Sequence, residues 1–429
     1  MHSPEVSVVL PIRDDAHVLP LTLGSLAAQT LEPDRWEVVL VDDGSAVPAA
    51  ATAERAGLAN LRVVRHERSR GRSAARNSGI AAARGEVVVL LDGDSYTAPD
   101  LIERHRAFHL DGDGPERVML GGRYEPSWET LDRLMAGDPA PPTSQEQLDL
   151  RLSMFGVDEA TFAAVGAPWA FVFTHNMSVR RSTLEAIGGF DEEFDGWGHE
   201  DVELGFRLHA NAGRRPDYFA LEPSAYCFHV PHYRNSAVQG VQARANLELF
   251  RRRHPRYDAE LYGGPRRLLA ANVARYDKVV EAFRESRLGV VDAAWLAGAV
   301  AESASLLLVG GMAAPERPGR TVVFDHRSEA DEGNRHLFGH RTPFAELEFD
   351  SVVHIDLWQY LSVNELAGVV NEGLRIGRRL SLVSTDAPRP GVLGSHCSVD
   401  YLLAMLADRF SITEERTGSA RAVTLEKPS

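Results

Sequence analysis

Through the first hundred residues, short β-branched runs alternate with helix-patterned stretches. The runs Val6-Ser7-Val8-Val9-Leu10, Val38-Val39-Leu40-Val41, Leu61-Arg62-Val63-Val64 and Val87-Val88-Val89-Leu90-Leu91 are nearly uninterrupted apolar segments. Such runs, spaced by helical patterns, predict a parallel sheet with crossover helices and hence an α/β fold. Each gives way to polar residues, and open parallel sheets bind ligands in the crevice beyond the carboxyl ends of their strands. Chemistry is therefore expected in the turns after the first, second and fourth runs.

Between Glu125 and Gly166 the alternation breaks into a stretch containing Asp138-Pro139-Ala140-Pro141-Pro142, which reads as an inserted mobile segment or lid. The segment His199 to Ala212 reads as a helix with Val202, Leu204, Phe206 and Leu208 as apolar members, and Gly213 is placed to stop it. From about Asn235 to Gly311 an Ala-, Arg- and Leu-rich pattern predicts a helical connector. Beyond it Val322-Val323-Phe324, Ser351-Val352-Val353-His354-Ile355 and Leu380-Ser381-Leu382-Val383 are strand-like, with a helical run from Val363 to Gly373. The expected organisation is a catalytic domain at 1–235, the connector at 236–312 and a small α/β unit at 313–429.

Composition narrows the function. With 429 residues, 44% hydrophobic and 25% charged, the chain has material for two globular domains. A formal net charge of −15 excludes a protein that coats nucleic acid, which needs a basic face to displace counterions. Binding an anionic substrate then requires local positive charge from a cation or a few arginines. Two cysteines, Cys227 and Cys397, make neither a disulfide framework nor a cysteine-only zinc site. The chain opens on strand-like sequence rather than a basic-then-apolar leader. Its most apolar later stretch, Leu288 to Met312, is interrupted by Asp292 and Glu302, so no transmembrane segment and a cytoplasmic location are expected.

Five segments carry chemistry. Strand one ends in Pro11-Ile12-Arg13-Asp14 and strand two in Asp42-Asp43-Gly44-Ser45, where a carboxylate can accept the imide N–H of a uracil ring. Asp-Asp-Gly-Ser also makes a good turn or helix cap, so both readings stand. Gly71-Arg72-Ser73-Ala74-Ala75-Arg76-Asn77 opens a helix, and helix N-termini and guanidinium groups both favour pyrophosphate. The competing reading is a solvated helix face. Strand four delivers Asp92-Gly93-Asp94, whose carboxylates can hold Mn2+ or Mg2+ against a diphosphate. The run Trp197-Gly198-His199-Glu200-Asp201 sets an indole that can stack on a sugar beside a carboxylate suited to general base catalysis, or simply an acidic first turn facing a helix dipole. In Cys227-Phe228-His229-Val230-Pro231-His232, either histidine could complete a metal shell, against the reading of an ordinary core or surface residue.

In this order, across roughly residues 5 to 235, these segments resemble the family-2 glycosyltransferases with the GT-A fold. The resemblance implies a Rossmann-like mixed sheet with flanking helices, followed here by the connector and the C-terminal unit. It implies a donor site of Pro11, Ile12, Arg13, Asp43, Arg72, Asp92, Gly93 and Asp94, with Asp43 on uracil and Arg72 on the diphosphate. It makes Asp94 and His229 metal ligands, Asp201 the base, and Glu200, Trp197, His199 and Asn176 contacts to sugar or acceptor. The Gly189-to-Asp201 run is also similar to the C-terminal motif of galactosyltransferases, which tilts the donor towards a UDP-hexose or UDP-N-acetylhexosamine. Arg13 and Asp14 depart from the family's usual tyrosine and asparagine.

The implied enzyme is an inverting, metal-requiring hexosyltransferase acting on a saccharide, peptide or small-molecule acceptor. The C-terminal unit looks like the later half of a class I methyltransferase domain without a glycine-rich cofactor loop ahead of it, a degenerate module for acceptor binding or for a homodimer. The rival from another class is a non-catalytic nucleotide-sugar-binding scaffold. A nucleotidyltransferase or dinucleotide oxidoreductase would place a Gly-rich loop where Pro11-Ile12-Arg13-Asp14 stands.

Overall fold

The computed structural model describes residues 3–14, 17–138, 141–233, 235–291, 293–301, 303–311, 319–330, 334–394, 396–417 and 419–426. They fall into two compact units, Met1–Leu249 with Pro265–Ala270, and Phe250–Gly264 with Ala271–Ser429.

The first unit is built on strands β1 (Val6–Ile12), β2 (Trp36–Asp42), β3 (Leu61–Arg65), β4 (Val87–Leu91), β5 (Ser95–Thr97), β6 (Val118–Tyr124), β7 (Asn176–Arg180) and β8 (Phe219–His229). They form one mixed sheet in the order β3-β2-β1-β4-β7-β6-β8-β5. All four expected strands are present, and β1 pairs in parallel with β2 and β4, which is why its residues are nearly all buried. Helices α1 (Leu19–Ala27), α2 (Ala50–Ala56), α3 (Arg72–Ala82) and α4 (Leu101–Leu110) supply the crossovers. α3 packs so closely that a Cβ on Gly79 would lie 2.3 Å from Val9 Cγ1. After β4 the chain turns antiparallel, with Leu91 opposite Asn176, and β8 returns to set His229 opposite Ser95, next to Asp94. This register brings the last motif to the first ones.

The 125–166 stretch is more structured than its composition suggests. It carries α5 (Trp128–Met135) and α6 (Leu150–Phe155). Glu146 accepts from Ser127 N and Thr143 N, and Asp149 accepts from Arg123 N, so carboxylates take up the backbone donors that a Pro-rich loop leaves open. Of its Pro-rich centre, 139–140 lie outside the described residues. α7 (Arg181–Ala186) and α8 (Glu200–Asn211) follow, and Gly213 has the left-handed φ of +65° expected of a helix stop.

α9 (Ser236–Arg253), α10 (Tyr257–Leu261), α11 (Arg266–Glu285) and α12 (Ala293–Ala299) account for the helical reading of the connector up to Ala299. That reading does not extend to Ser305–Val309, which is a strand, β9, with four of its five residues buried. The second unit continues with β10 (Arg320–Phe324), β11 (Phe349–Ile355), α13 (Val363–Ile376), β12 (Gly377–Thr385), α14 (Val399–Leu406), β13 (Ser411–Thr417) and β14 (Ala420–Glu426). The sheet runs β10-β9-β11-β12-β14-β13, parallel except for β14, which is antiparallel to both of its neighbours. Gly310-Gly311 follows β9, a glycine pair rather than a glycine-rich loop. The crevice above it is filled by the chain itself. Gly289 lies so near that a Cβ there would meet Gly310 O at 1.9 Å, and Gly289 N donates to Asp356 at 2.8 Å. Among the described residues no helix is long and apolar enough to cross a membrane.

Candidate active site

The site lies at the carboxyl ends of β1, β2 and β4 and at the start of α8. The turn after β4 is shaped by Gly93, where a Cβ would meet Ile12 Cδ1 at 2.7 Å and Pro11 O at 2.9 Å. Only glycine lets this turn lie flat on the end of β1, and Thr22 Oγ1 donates to Gly93 O at 2.8 Å to hold it there. Asp94 is thereby directed towards the end of β8. His232 Nδ1 stands 3.0 Å and His229 Nε2 3.4 Å from Asp94 Oδ2.

Ligand atoms of Asp94, His229 and His232 all lie within 4.8 Å of one another, the donor set of a divalent cation site. Both histidines left open by the sequence face the carboxylate. The other nitrogen of His229 meets Glu125 Oε2 at 3.1 Å, an arrangement that fixes the imidazole's tautomer and aims Nε2 at Asp94. Burial raises the pKa of Asp94, but hydrogen bonds and charge from the two histidines outweigh it and hold the carboxyl well below its ordinary range. His229 is pushed the other way: burial lowers it, while Asp94 and Glu125 raise it to a net upward shift.

The second centre is the start of α8. Its N-cap, His199, has a left-handed φ of +72°, which sets Glu200 and Asp201 at the first turn. Trp197 is half-buried, its backbone N–H donating to Gln242 Oε1 at 3.1 Å, while Asn246 Nδ2 donates to Asp195 O and Gly198 O. α9 thus clamps the loop that carries the indole. The Asp201 carboxyl is pushed up to about 7, first by burial and then by the charge of Glu200, with Arg76 opposing.

Other expected residues are differently placed. Asp43 is buried and accepts four hydrogen bonds, from His66 Nδ1 at 2.7 Å, Ser69 Oγ at 2.7 Å, Arg70 N at 2.8 Å and Gly71 N at 3.0 Å. These use a carboxylate's roughly four lone-pair positions, so Asp43 here shapes the 66–71 loop that leads into α3. Burial raises its pKa, but the bonds from Arg70, Ser69 and the others bring it below the ordinary value. Arg72 is exposed at the first residue of α3. Pro11 and Ile12 pack on Gly93, and Arg13 is an exposed side chain 3.7 Å from Asp14.

Asn176 does not hold the place expected of a sugar contact. It is fully buried, its amide donating to Gly122 O and Ala225 O at 2.9 Å and its oxygen meeting His105 Nε2 at 2.9 Å. Its side-chain bonds join β7 to β6, β8 and α4.

Sequence reasoning missed three neighbours. Arg76 was an unassigned second arginine of its helix. Its buried guanidinium bonds Asp92 Oδ1 at 2.9 Å and Glu200 Oε1 at 3.3 Å. His175, next to β7, is buried with Nε2 unpartnered, and burial lowers its pKa well below the usual imidazole value, with nearby Arg123 and Arg151 adding to the shift. Glu125 was read only as a loop boundary. Arg76 lies inside the motif that opens α3 but was given no role there, and His175 and Glu125 belong to no motif, so no signal in one sequence marks those two.

The model of glycosyl transferase family 2 matches residues 7–187, and one described as the N-terminal domain of galactosyltransferase matches residues 161–232. Two validoxylamine A glucosyltransferases, from Streptomyces hygroscopicus subsp. limoneus and subsp. jinggangensis (strain 5008), are each 30% identical over 274 residues, 61% of this chain. The chain spans 59% and 64% of the length of these two relatives. Among solved structures, mannosyltransferase PcManGT from Pyrobaculum calidifontis in complex with GDP-Man and Mn2+ is similar at 20% identity and a TM-score of 0.45, over 70% of this chain and 81% of that one. Residues 7–187 are thus similar to the family-2 glycosyltransferases.

Proposed function

We propose that the chain is a metal-dependent inverting glycosyltransferase that moves a hexose or N-acetylhexosamine from a UDP-sugar to an acceptor hydroxyl. The observation that carries this reading is the pairing, in the unit whose residues 7–187 match the family-2 model, of a candidate cation triad with a carboxyl raised to about 7 at the start of α8. The relatives' name favours a hexose as the sugar moved.

Asp94, His229 and His232 would hold Mn2+ or Mg2+, which when bound supplies positive charge to the diphosphate of the donor. Arg72, exposed at the N-terminus of α3, would add a guanidinium to the same anion. Asp201 takes the proton of the acceptor hydroxyl, whose oxygen then bonds to the anomeric carbon. The bond from that carbon to the diphosphate oxygen breaks, and the electron pair leaves with the diphosphate. One displacement inverts the anomeric centre. Trp197 and His199 flank the base and line the acceptor side, and the Asp43 loop receives the nucleoside by exchanging one of its internal hydrogen bonds for the base N–H.

The test is transfer from UDP-sugars by the purified chain, with calorimetric binding of UDP in the presence and absence of Mn2+. Asp201→Asn is expected to lower kcat by about 10²–10⁴-fold while UDP affinity stays within a few-fold. A parallel loss of both would remove Asp201 from its role. Failure to bind any nucleoside diphosphate would leave a scaffold that kept the fold.

A further inference from the structure

Arg76 is the buried charge that this mechanism leaves unused. It lies on the inner face of α3, among buried Ser73, Ala74, Ala75, Gly79 and Ile80, with its side chain 5% exposed. Its guanidinium carbon sits 5.3 Å from the centroid of the Phe190 ring. One terminal nitrogen bonds Asp92 Oδ1 and the other Glu200 Oε1. The second oxygen of Glu200 accepts from Gly198 N at 3.0 Å, so both oxygens of that carboxylate are fixed.

We propose that Arg76 is a positioning residue of the transfer reaction, a rigid strut that sets the separation of the donor motif after β4 from the base motif at the start of α8. The inference rests on Asp201 acting as the base.

The argument is geometric. Asp92 follows β4 and Glu200 opens α8, and the two segments are joined in the chain only through β5, β6, β7 and the helices between them. Arg76 joins them through a single planar group. A planar guanidinium holding two carboxylates fixes both distance and orientation, which a flexible ammonium does not. Stability alone does not call for this charged cluster, because apolar side chains of similar volume at all of its positions would fill the space without desolvating ions. In a displacement the acceptor oxygen must meet the anomeric carbon in line, and an error of about 1 Å in that alignment costs on the order of 10²-fold in rate. The same guanidinium opposes the effects of burial, Glu200 and Asp92 on Asp201. Its removal therefore raises the pH at which the base gains its proton.

The full chain carrying Arg76→Met, Arg76→Lys, Glu200→Gln or Asp201→Asn is assayed for transfer from a UDP-sugar, for UDP affinity with Mn2+, and for the pH dependence of kcat. Arg76→Met is expected to lose roughly 10²-fold in kcat with UDP affinity changed less than about threefold, and to move the acid limb upward by about one pH unit or more. Arg76→Lys is expected to recover part of both. Should Arg76→Met not fold, the double variant Arg76→Lys with Glu200→Gln carries the test: it is expected to be no slower than Glu200→Gln alone, because each change breaks the same strut. Unchanged kcat and acid limb in the Arg76 variants, or multiplicative losses in the double variant, would overturn the role. Asp201→Asn separates the two claims. If that variant turns over normally the base assignment fails, whereas an inactive Asp201→Asn beside an unaffected Arg76→Met sinks only the strut.

Discussion

At the scale of single residues, the site is organised by what surrounds each carboxyl. Asp94 and Asp201 start from the same chemistry and are driven apart, one below its ordinary range by two imidazoles, the other up to about 7 by burial and Glu200. Such divergence separates an anion that holds positive charge from a base that must accept a proton near neutrality. In its proposed role as base Asp201 works deprotonated, and its folded-state pKa is raised, so kcat is expected to be full above about pH 8 and to fall tenfold per unit below about 7. A profile of kcat against pH checks this, and an acid limb near pH 4 would show that Asp201 is not the titrating group. Among residues, the positions of Asp94 after a strand and of Glu200 and Asp201 at a helix start were legible because strand ends and a helix start announce themselves by pattern. Arg76 was not, since an arginine one turn into a helix is ordinarily solvated and only the fold shows that it is buried. Asn176 was assigned only through the resemblance, and the fold uses its side chain to close a buried seam between strands.

At the scale of elements, the donor turn depends on how closely two strand ends approach. Gly93 admits no Cβ without displacing Ile12 or the Pro11 carbonyl. Gly93→Ala is expected to cost about 1–3 kcal/mol of stability through overpacking and to weaken Mn2+-dependent UDP binding by roughly tenfold or more, because the shift moves Asp94 away from His229 and His232. Denaturant unfolding and calorimetry check the pair of effects. A variant that binds UDP as tightly as the parent would show that the close contact is incidental. Elements also mark where pattern reading stops. The four parallel strands of the first unit announce themselves as β-branched runs between polar turns. β9 does not: its Ser305–Val309 run is too short for periodicity to tell a buried strand from a buried helix, and the Ala-rich sequence before it favours helix. Missing β9 hid Gly310-Gly311 and with it the parallel core of the second sheet.

At the scale of the molecule, each unit has a core of its own. One cluster gathers Val8, Leu10, Leu23, Leu40, Val89 and Leu101 of the first unit, and another gathers Leu306, Leu308, Val353, Ile355 and Val383 of the second. Separate cores predict separate unfolding transitions. Every residue assigned to donor and cation lies in the first unit. Saturating Mn2+ with UDP, at about 100 times its dissociation constant, stabilises the state that binds it by about 2.7 kcal/mol. For a unit of this size that corresponds to a rise of about 5–10 °C in one transition, with the other unmoved. The same additions to Asp94→Ala are expected to shift neither, and a chelator should reverse the shift in the parent chain. Scanning calorimetry decides between this and two alternatives. A single transition that moves as a whole would mean the units unfold as one cooperative block, whereas an undiminished shift in Asp94→Ala would place the cation elsewhere than among Asp94, His229 and His232.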